Sequence, residues 1–189
     1  MVKSFHPAAL AAGPLSAASF QGALPVRPAR ADEREDLAVL ASRAFAQGAV
    51  ALLPAGLRAR ADAARFLELF AAGGPLLLAE GESAPLGCVL AEPTEAGVPA
   101  RLTGLWVAPE VAGQGVGSTL LAAMEALLAA EGAAALRVRV PSGHLRALGL
   151  FRRRGYDMQA AGRRTEPVSQ ALLPHSVLQK PLLAARAAA

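Results

Sequence analysis

The sequence predicts an α/β (α+β) domain: a central mixed, mostly antiparallel sheet of six to seven strands, flanked by about four helices. Three observations predict it. Residues 102–132 read as strand, glycine loop and helix in succession. Three apolar runs, Leu76–Glu80, Leu86–Glu92 and Leu102–Val107, are joined by the short, turn-rich links 81–85 and 93–101, the pattern of an antiparallel meander. A further run, Leu136–Val140, follows the helix, and a strand–helix–strand connection makes its two strands parallel neighbours.

Taken in order, Leu24–Arg27 reads as a first short strand. Arg30–Phe45 follows as a helix with Leu37, Leu40, Ala41 and Ala44 on one face, and Asp32, Glu33, Glu35 and Asp36 crowd its first turns, where the helix dipole favours acids. Residues 48–57 contain Pro54 and Gly56 and read as a loop or a broken helix. Arg58–Ala72 is amphipathic on Ala63, Phe66, Leu67 and Phe70 and stops at Gly73-Gly74. The strand Leu102–Val107 must end by Pro109, which lacks a ladder N–H. In the helix Ser118–Glu131, Leu120, Leu121, Met124, Leu127 and Leu128 recur at helical spacing, and Gly132 stands where a C′ glycine would stop it. Along Leu136–Val140, Leu136, Val138 and Val140 face one way and Arg137 and Arg139 the other. Ser142 is the expected cap of a helix running through Leu145–Arg154, Gly155 ends it, and Tyr156 begins the next strand. Val168–Gln170 and Ser176–Leu182 read as weak closing strands. The domain spans residues 24–183, with a flexible tail at 1–23 and a short one at 184–189.

Bulk properties narrow the function. At 189 residues, one domain with a real core is expected; 53% of residues are hydrophobic, but Ala inflates that figure. Aromatics are only 4%, too few for a base-stacking surface, and a net charge of +4 favours an anionic ligand without implying nucleic acid. The single cysteine, Cys88, excludes an internal disulfide and a cysteine zinc site, and reads as a small buried residue. No uninterrupted apolar run of about 18 residues predicts a membrane span. The first 23 residues carry one Lys and an Ala/Leu stretch broken by Gly13 and Pro14, a poor secretory leader, so an intracellular, cytoplasmic protein is expected. There is no G-x-S-x-G, no H-E-x-x-H and no metal-spaced cluster, so no metal is expected.

Gly113, Gly115 and Gly117 alternate just before a helix. Without Cβ atoms the chain can adopt positive φ and bring its backbone close to a ligand. The first N–H groups of a helix lack internal partners and sit at the positive end of its dipole, so the loop predicts an anion site, phosphate above all. A P-loop requires a following Lys, and none occurs between Lys3 and Lys180. A dinucleotide fingerprint requires G-x-G-x-x-G, but Ser118 stands at its third glycine, and the acidic residue expected about 20 positions on is missing. A bare tight turn is the ligand-free alternative.

V-x-P-x-x-x-G-x-G-x-G, from Val107 to Gly117, with its Leu-rich helix, resembles the acetyl-CoA-binding motif of the GNAT superfamily of N-acetyltransferases. H-x-x-A-x-x-L-F-x-x-x-G-Y, from His144 to Tyr156, is similar to that family's second motif, N-x-x-A-x-x-L-Y-x-x-x-G-F, in the right order and about 30 residues away. Val26-Arg27-Pro28-Ala29 and Val177–Leu182 loosely resemble its opening and final strand. The resemblance implies the GNAT fold, acetyl-CoA as acyl donor, and a small-molecule or peptide amine as acceptor. It implies neither nucleic acid nor membrane as partner, and it allows a homodimer.

It also assigns roles. Leu105 and Val107 would pair with the pantetheine arm, and a backbone N–H at Trp106 or Val107 would polarise the thioester carbonyl. The amides of Gly113, Gly115, Val116, Gly117 and Ser118 would hold the pyrophosphate. Ala112 stands where the family has Arg or Gln; Gln114, two residues later, is a replacement only if the glycines slip. Arg152–Arg154 could supply phosphate charge or simply suit a helix end. His144 replaces the family Asn and would bond the pantetheine or a carbonyl. Phe151 replaces the usual Tyr, the acid for the departing thiolate, so the thiolate leaves into water, another group acts, or catalysis is weak. Tyr156 reads as packing. Glu92 and His175 are the candidate bases, since Thr103 stands near the usual carboxylate and cannot act as one. Arg137 and Arg139 favour an acidic acceptor if they face the cleft; otherwise they are solvated.

Overall fold

A computed structural model of the protein describes residues 24–48, 53 and 62–182. The expected tails at 1–23 and 184–189, most of the 48–57 segment and residues 58–61 lie outside the described residues; the helix expected from Arg58 instead begins at Ala63, because the extended Asp62 caps it by accepting from the Arg65 N–H. The elements are β1 (Val26–Pro28), α1 (Arg34–Gln47), α2 (Ala63–Ala71), β2 (Leu76–Ala79), β3 (Gly87–Ala91), β4 (Ala100–Val107), α3 (Val116–Ala130), β5 (Ala135–Pro141), α4 (Leu145–Arg153), β6 (Asp157–Thr165) and β7 (Leu172–Pro181), with short 3-10 turns at Ala31–Glu33 and Pro109–Val111.

One seven-stranded sheet runs in the order β1-β2-β3-β4-β5-β7-β6. β1 to β4 form the antiparallel meander, β4 and β5 are parallel, and β5, β7 and β6 are antiparallel. The expected class, a mixed and mostly antiparallel sheet with four flanking helices, is the observed one. One face packs Leu120, Leu121, Met124 and Leu128 of α3 with Phe151 of α4 against Val89, Leu136, Val138 and Leu178. The other packs Leu37, Ala41 and Phe45 of α1 with Phe66 and Phe70 of α2 against Leu78, Cys88, Leu90 and Trp106. Trp106 meets the rings of Phe66 and Phe70 edge-on at 5.4 and 5.7 Å.

A one-residue bulge in β4 governs how this sheet meets its helices. Leu90 pairs with Gly104 but Ala91 with Leu102, which leaves Thr103 unpaired against β3. The extra residue inverts the alternation. Before the bulge, Ala100 and Leu102 point at the α3 face; after it, Gly104 and Trp106 belong to the α1–α2 face, while Leu105 and Val107 turn toward α3. Gly104 is required here, because a Cβ would lie 2.2 Å from the Trp106 ring.

Both interior glycine stops are Schellman caps. At the end of α3, Gly132 (φ +85°) donates to Ala129 O, and Ala133 to Leu128 O. After α4, Gly155 (φ +83°) donates to Arg152 O and Tyr156 to Phe151 O. The apolar contact that accompanies such a cap is the Phe151–Tyr156 ring pair, with centroids 5.2 Å apart. Packing at this cap is therefore sufficient reason for two aromatics at the end of the second motif.

Three local expectations are corrected. The cap of α4 is His144, whose Nδ1 accepts from the Ala147 N–H at 3.3 Å; Ser142 is tied to β7 instead, through Pro174 O and the Ser176 hydroxyl. Val168–Gln170 is a turn, not a strand, because the Glu166 carboxylate accepts from the Val168 and Ser169 amides and the Ser169 hydroxyl. The last two strands are longer than their apolar content suggested. All nine residues of β6 are exposed, so it is held by backbone pairing to β7 rather than by burial.

Candidate active site

β4 and β5 pair only from Ala100–Leu136 to Leu102–Val138 and then diverge, although both strands continue for several residues. Into this split opens a cleft of about 510 Å³, floored by the separating strands and walled by the glycine loop, α4 and the end of α1.

The loop presents bare amides. Gly113 and Gly115 have φ of +94° and +93°, the left-handed region where only glycine sits without strain. Ala112 and Gln114 donate to Pro109 O and Val111 O, and Ser118 and Thr119 both donate to Gly115 O. The N–H groups of Gly113, Gly115, Val116 and Gly117 have no acceptor among the described residues. Four unpartnered donors at the opening of a 15-residue helix form an anion cradle. Ser118 was expected to join this set, but its amide closes the first turn; its side chain lines the cleft. Val116 turns its side chain into the core, and Gln114 lies off the cleft with its amide nitrogen 3.4 Å from Glu110 O.

One cation beside the cradle was not foreseen. A Cβ added at Gly113 would lie 2.8 Å from Nη2 of Arg146, so this guanidinium rests against the loop. It makes no hydrogen bond or ion pair among the described residues. It sits in the first turn of α4, beside the loop in space but 33 residues from Gly113 in sequence, and no motif marks it. Of the Arg152–Arg154 run, Arg153 lines the cleft, whereas Arg154 is paired with Glu125 at 3.2 Å behind it.

The amides of β4 sort by alternation. The Ala108 N–H donates to Leu86 O at 2.9 Å, toward β3. The Trp106 amide shares that edge, and those of Leu105 and Val107 face the opposite edge, where β5 has moved away. Leu105 and Val107 therefore offer the open donors, and Trp106 contributes its ring to the wall.

His144 stands at the top of the cleft. Its Nδ1 takes the cap bond and so carries a lone pair, which leaves the proton on Nε2. That Nε2 lies 3.1 Å from where a Gly48 Cβ would be, so the ring closes against the end of α1. Desolvation, and secondarily the charge of Arg146, lowers its pKa below the usual 6.5, so it is neutral at pH 7. Phe151 is buried at the cleft wall and has no proton to give. Tyr156 lies behind it and does not line the cleft; burial raises the pKa of its hydroxyl, with the nearby Glu125 carboxylate adding to the rise.

Both candidate bases line the cleft. His175 is 3% exposed, and its Nδ1 lies 2.9 Å from Leu173 O. A carbonyl only accepts, so Nδ1 carries a proton, and in the neutral ring the lone pair is on Nε2. Glu92 is half exposed, with Arg101 at 3.8 Å. Arg137 and Arg139 also line the cleft, on the α1–α2 side of β5. Among the described residues no group of three or more His, Cys, Asp or Glu could hold a metal ion, and no helix is long and apolar enough to cross a membrane.

Comparison with known proteins finds the same fold in solved structures. The fold matches a GCN5-related N-acetyltransferase from Rhodopseudomonas palustris with a TM-score of 0.70 at 22% identity, over 85% of this chain and 97% of that one. It matches a ribosomal-protein-alanine N-acetyltransferase from Brucella melitensis with a TM-score of 0.63 at 21% identity, over 84% and 100%. A phosphinothricin acetyltransferase from Sinorhizobium meliloti, solved in complex with acetyl-CoA, matches with a TM-score of 0.63 at 21% identity, over 86% and 90%. No curated protein matches the sequence. The family model described as acetyltransferase (GNAT) family matches residues 41–156, more than half of the chain and both motifs, and the chain belongs to that family.

Proposed function

We propose that this chain is an N-acetyltransferase that moves the acetyl group of acetyl-CoA to a primary amine of a small molecule, amino acid or peptide, by direct attack in a ternary complex. The observation that carries this reading is the cradle of four unpartnered amides beside a split in the sheet. The residues present fit the donor. A diphosphate matches the N–H groups of Gly113, Gly115, Val116 and Gly117, and the free guanidinium of Arg146 supplies a charge that Ala112 does not. An extended pantetheine matches the open edge of β4, where the Leu105 and Val107 backbone lacks a strand partner.

Acetyl-CoA supplies an activated thioester. One of the outward amides of Leu105 and Val107 polarises its carbonyl, which needs no particular side chain. The amine lone pair adds to the carbonyl carbon, the carbon–sulfur bond breaks, and the amine proton passes to a base. His175 is the better placed base, since its Nε2 lone pair is free and its ring is fixed by Leu173 O; Glu92 can act through water. Phe151 lines the cleft without a proton to give, so a departing thiolate would take its proton from solvent. Holding both reactants in one cleft supplies a large share of the rate.

Phe151 also favours the second reading, a weakly catalytic or non-catalytic acetyl-CoA-binding module with a sensing or interaction role. A thiol-release assay with amines, amino acids and peptides separates the two. Acceptor-dependent release removes the binding-module reading. Tight acetyl-CoA binding without release on any acceptor removes the transferase.

A further inference from the structure

The acceptor side of the cleft has a charge imbalance that the donor does not account for. Arg101, Arg137 and Arg139 line it, against the carboxylates of Glu92 and Glu166. Glu166 is buried and engaged by the Val168 and Ser169 amides and the Ser169 hydroxyl, and so is unavailable to a guanidinium. Glu92 is nearest Arg101, at 3.8 Å. Arg137 donates through Nε and Nη2 to the Gln179 amide oxygen at 3.0 and 2.8 Å, a neutral partner that orients the guanidinium without neutralising it. Arg139 is exposed to the cleft and has no partner among the described residues.

Strand register places these groups relative to the reacting centre. Arg137, Arg139 and Pro141 share one face of β5, opposite Gln179, Val177 and His175 of β7. His175 is thus the diagonal neighbour of Arg139, at a typical separation of about 7–8 Å between such positions. Arg139 is also the first β5 residue beyond Val138, where pairing with β4 stops and the sheet opens.

Building on the transferase reading, we infer that the acceptor is a small amine bearing a carboxylate, its amine directed to His175 and its carboxylate held by Arg139 with Arg137 behind it. Diagonal positions on one sheet face are near enough for a molecule of amino-acid size to reach both side chains, and a guanidinium fork binds a carboxylate through two parallel hydrogen bonds.

The test uses matched acceptors: glycine, alanine and serine, and the α-amide of each, in the thiol-release assay on the full chain. The amides have the lower amine pKa and hence more neutral nucleophile, so intrinsic reactivity runs against the expected preference. The carboxylates should nevertheless show kcat/KM about tenfold higher or more. Arg139→Gln should abolish that preference by raising KM for the carboxylates, with the amides and the KM for acetyl-CoA unchanged. Amides that react as well as the carboxylates, or an Arg139→Gln variant that weakens both alike, would overturn the inference while leaving the transferase intact. If no acceptor releases thiol, the transferase reading fails. Calorimetric titration of the same six compounds into the CoA-bound protein then decides the inference, and failure to bind the carboxylates more tightly overturns it.

Discussion

The two halves of the cleft are built by different means. The donor half is main chain: seven consecutive residues, Ala112–Ser118, whose φ angles and four unpaired amides follow from the placement of three glycines before a helix. The acceptor half is side chain: Arg101 on β4, Arg139 on β5, His175 on β7 and the end of α1, brought together only by strand pairing. A backbone cradle recognises a diphosphate without caring which side chains surround it, whereas side chains set on separate strands can change one at a time. The donor half therefore states the family, and the acceptor half states what is particular to this chain.

The most severe test of the contrast is a side chain placed in the main-chain half. A Cβ at Gly115 would meet nothing within 4 Å, so Gly115→Asp leaves the packing intact, but the φ of +93° costs about 1–2 kcal/mol for a residue with a side chain. The carboxylate would repel a diphosphate by several kcal/mol, so acetyl-CoA affinity should fall at least about a hundredfold, measured by calorimetry. Gly115→Asn carries the same backbone cost without the charge and should lose far less. Equal losses would mean that strain, not electrostatics, governs the loop.

The converse change is His175→Gln in the side-chain half. It should lower kcat by about 10²–10⁴ while acetyl-CoA affinity stays unchanged, since the residue touches only the acceptor side. A kcat within about threefold of the parent would move the base to Glu92.

Phe151→Tyr tests the wall between the halves. A hydroxyl there gives the thiolate a proton donor, and kcat should rise about tenfold if thiolate departure limits the reaction. Solvent-deuterium effects on both proteins would report whether that step is limiting.

The smallest effect concerns the cap that joins α4 to the cleft. His144→Ala should cost about 1 kcal/mol of unfolding free energy, and His144→Asn, which caps well, should retain it. The pH dependence has a definite sign. Because folding lowers the His144 pKa, the unfolded chain takes up a proton first as pH falls through about 6.5, so stability is full above that value and declines below it. His144→Asn should flatten the stability profile in that window, read from urea melts between pH 7 and 5.

What the chain reveals of itself follows the same division. The helices of the described core, the meander and the glycine stops at Gly132 and Gly155 are local in origin. The 3.6-residue apolar period of α3 and the αL preference of glycine operate within a few residues. A strand after Gly155 is legible, but the length of β6 escapes such reading because Asp157–Thr165 has no buried face and hence no alternation to detect. The Val168–Gln170 turn escapes it because the Glu166 carboxylate, which accepts from the Val168 and Ser169 amides, holds the chain bent after Pro167. Arg146 was missed because its proximity to Gly113 is a tertiary contact between two helix starts.

By itself the sequence determined the family, the order of the elements and the main-chain cradle, because backbone conformation and helix periodicity are decided between near neighbours. The tertiary structure decided that Thr103 bulges and swaps the faces of β4, that Leu105 and Val107 rather than Trp106 turn their amides to the split, and that Arg139 and His175 share one face. Strand register sets each of these. It depends on which segments bury against one another across the whole chain, and a shift of one residue would send every side chain to the other side of the sheet.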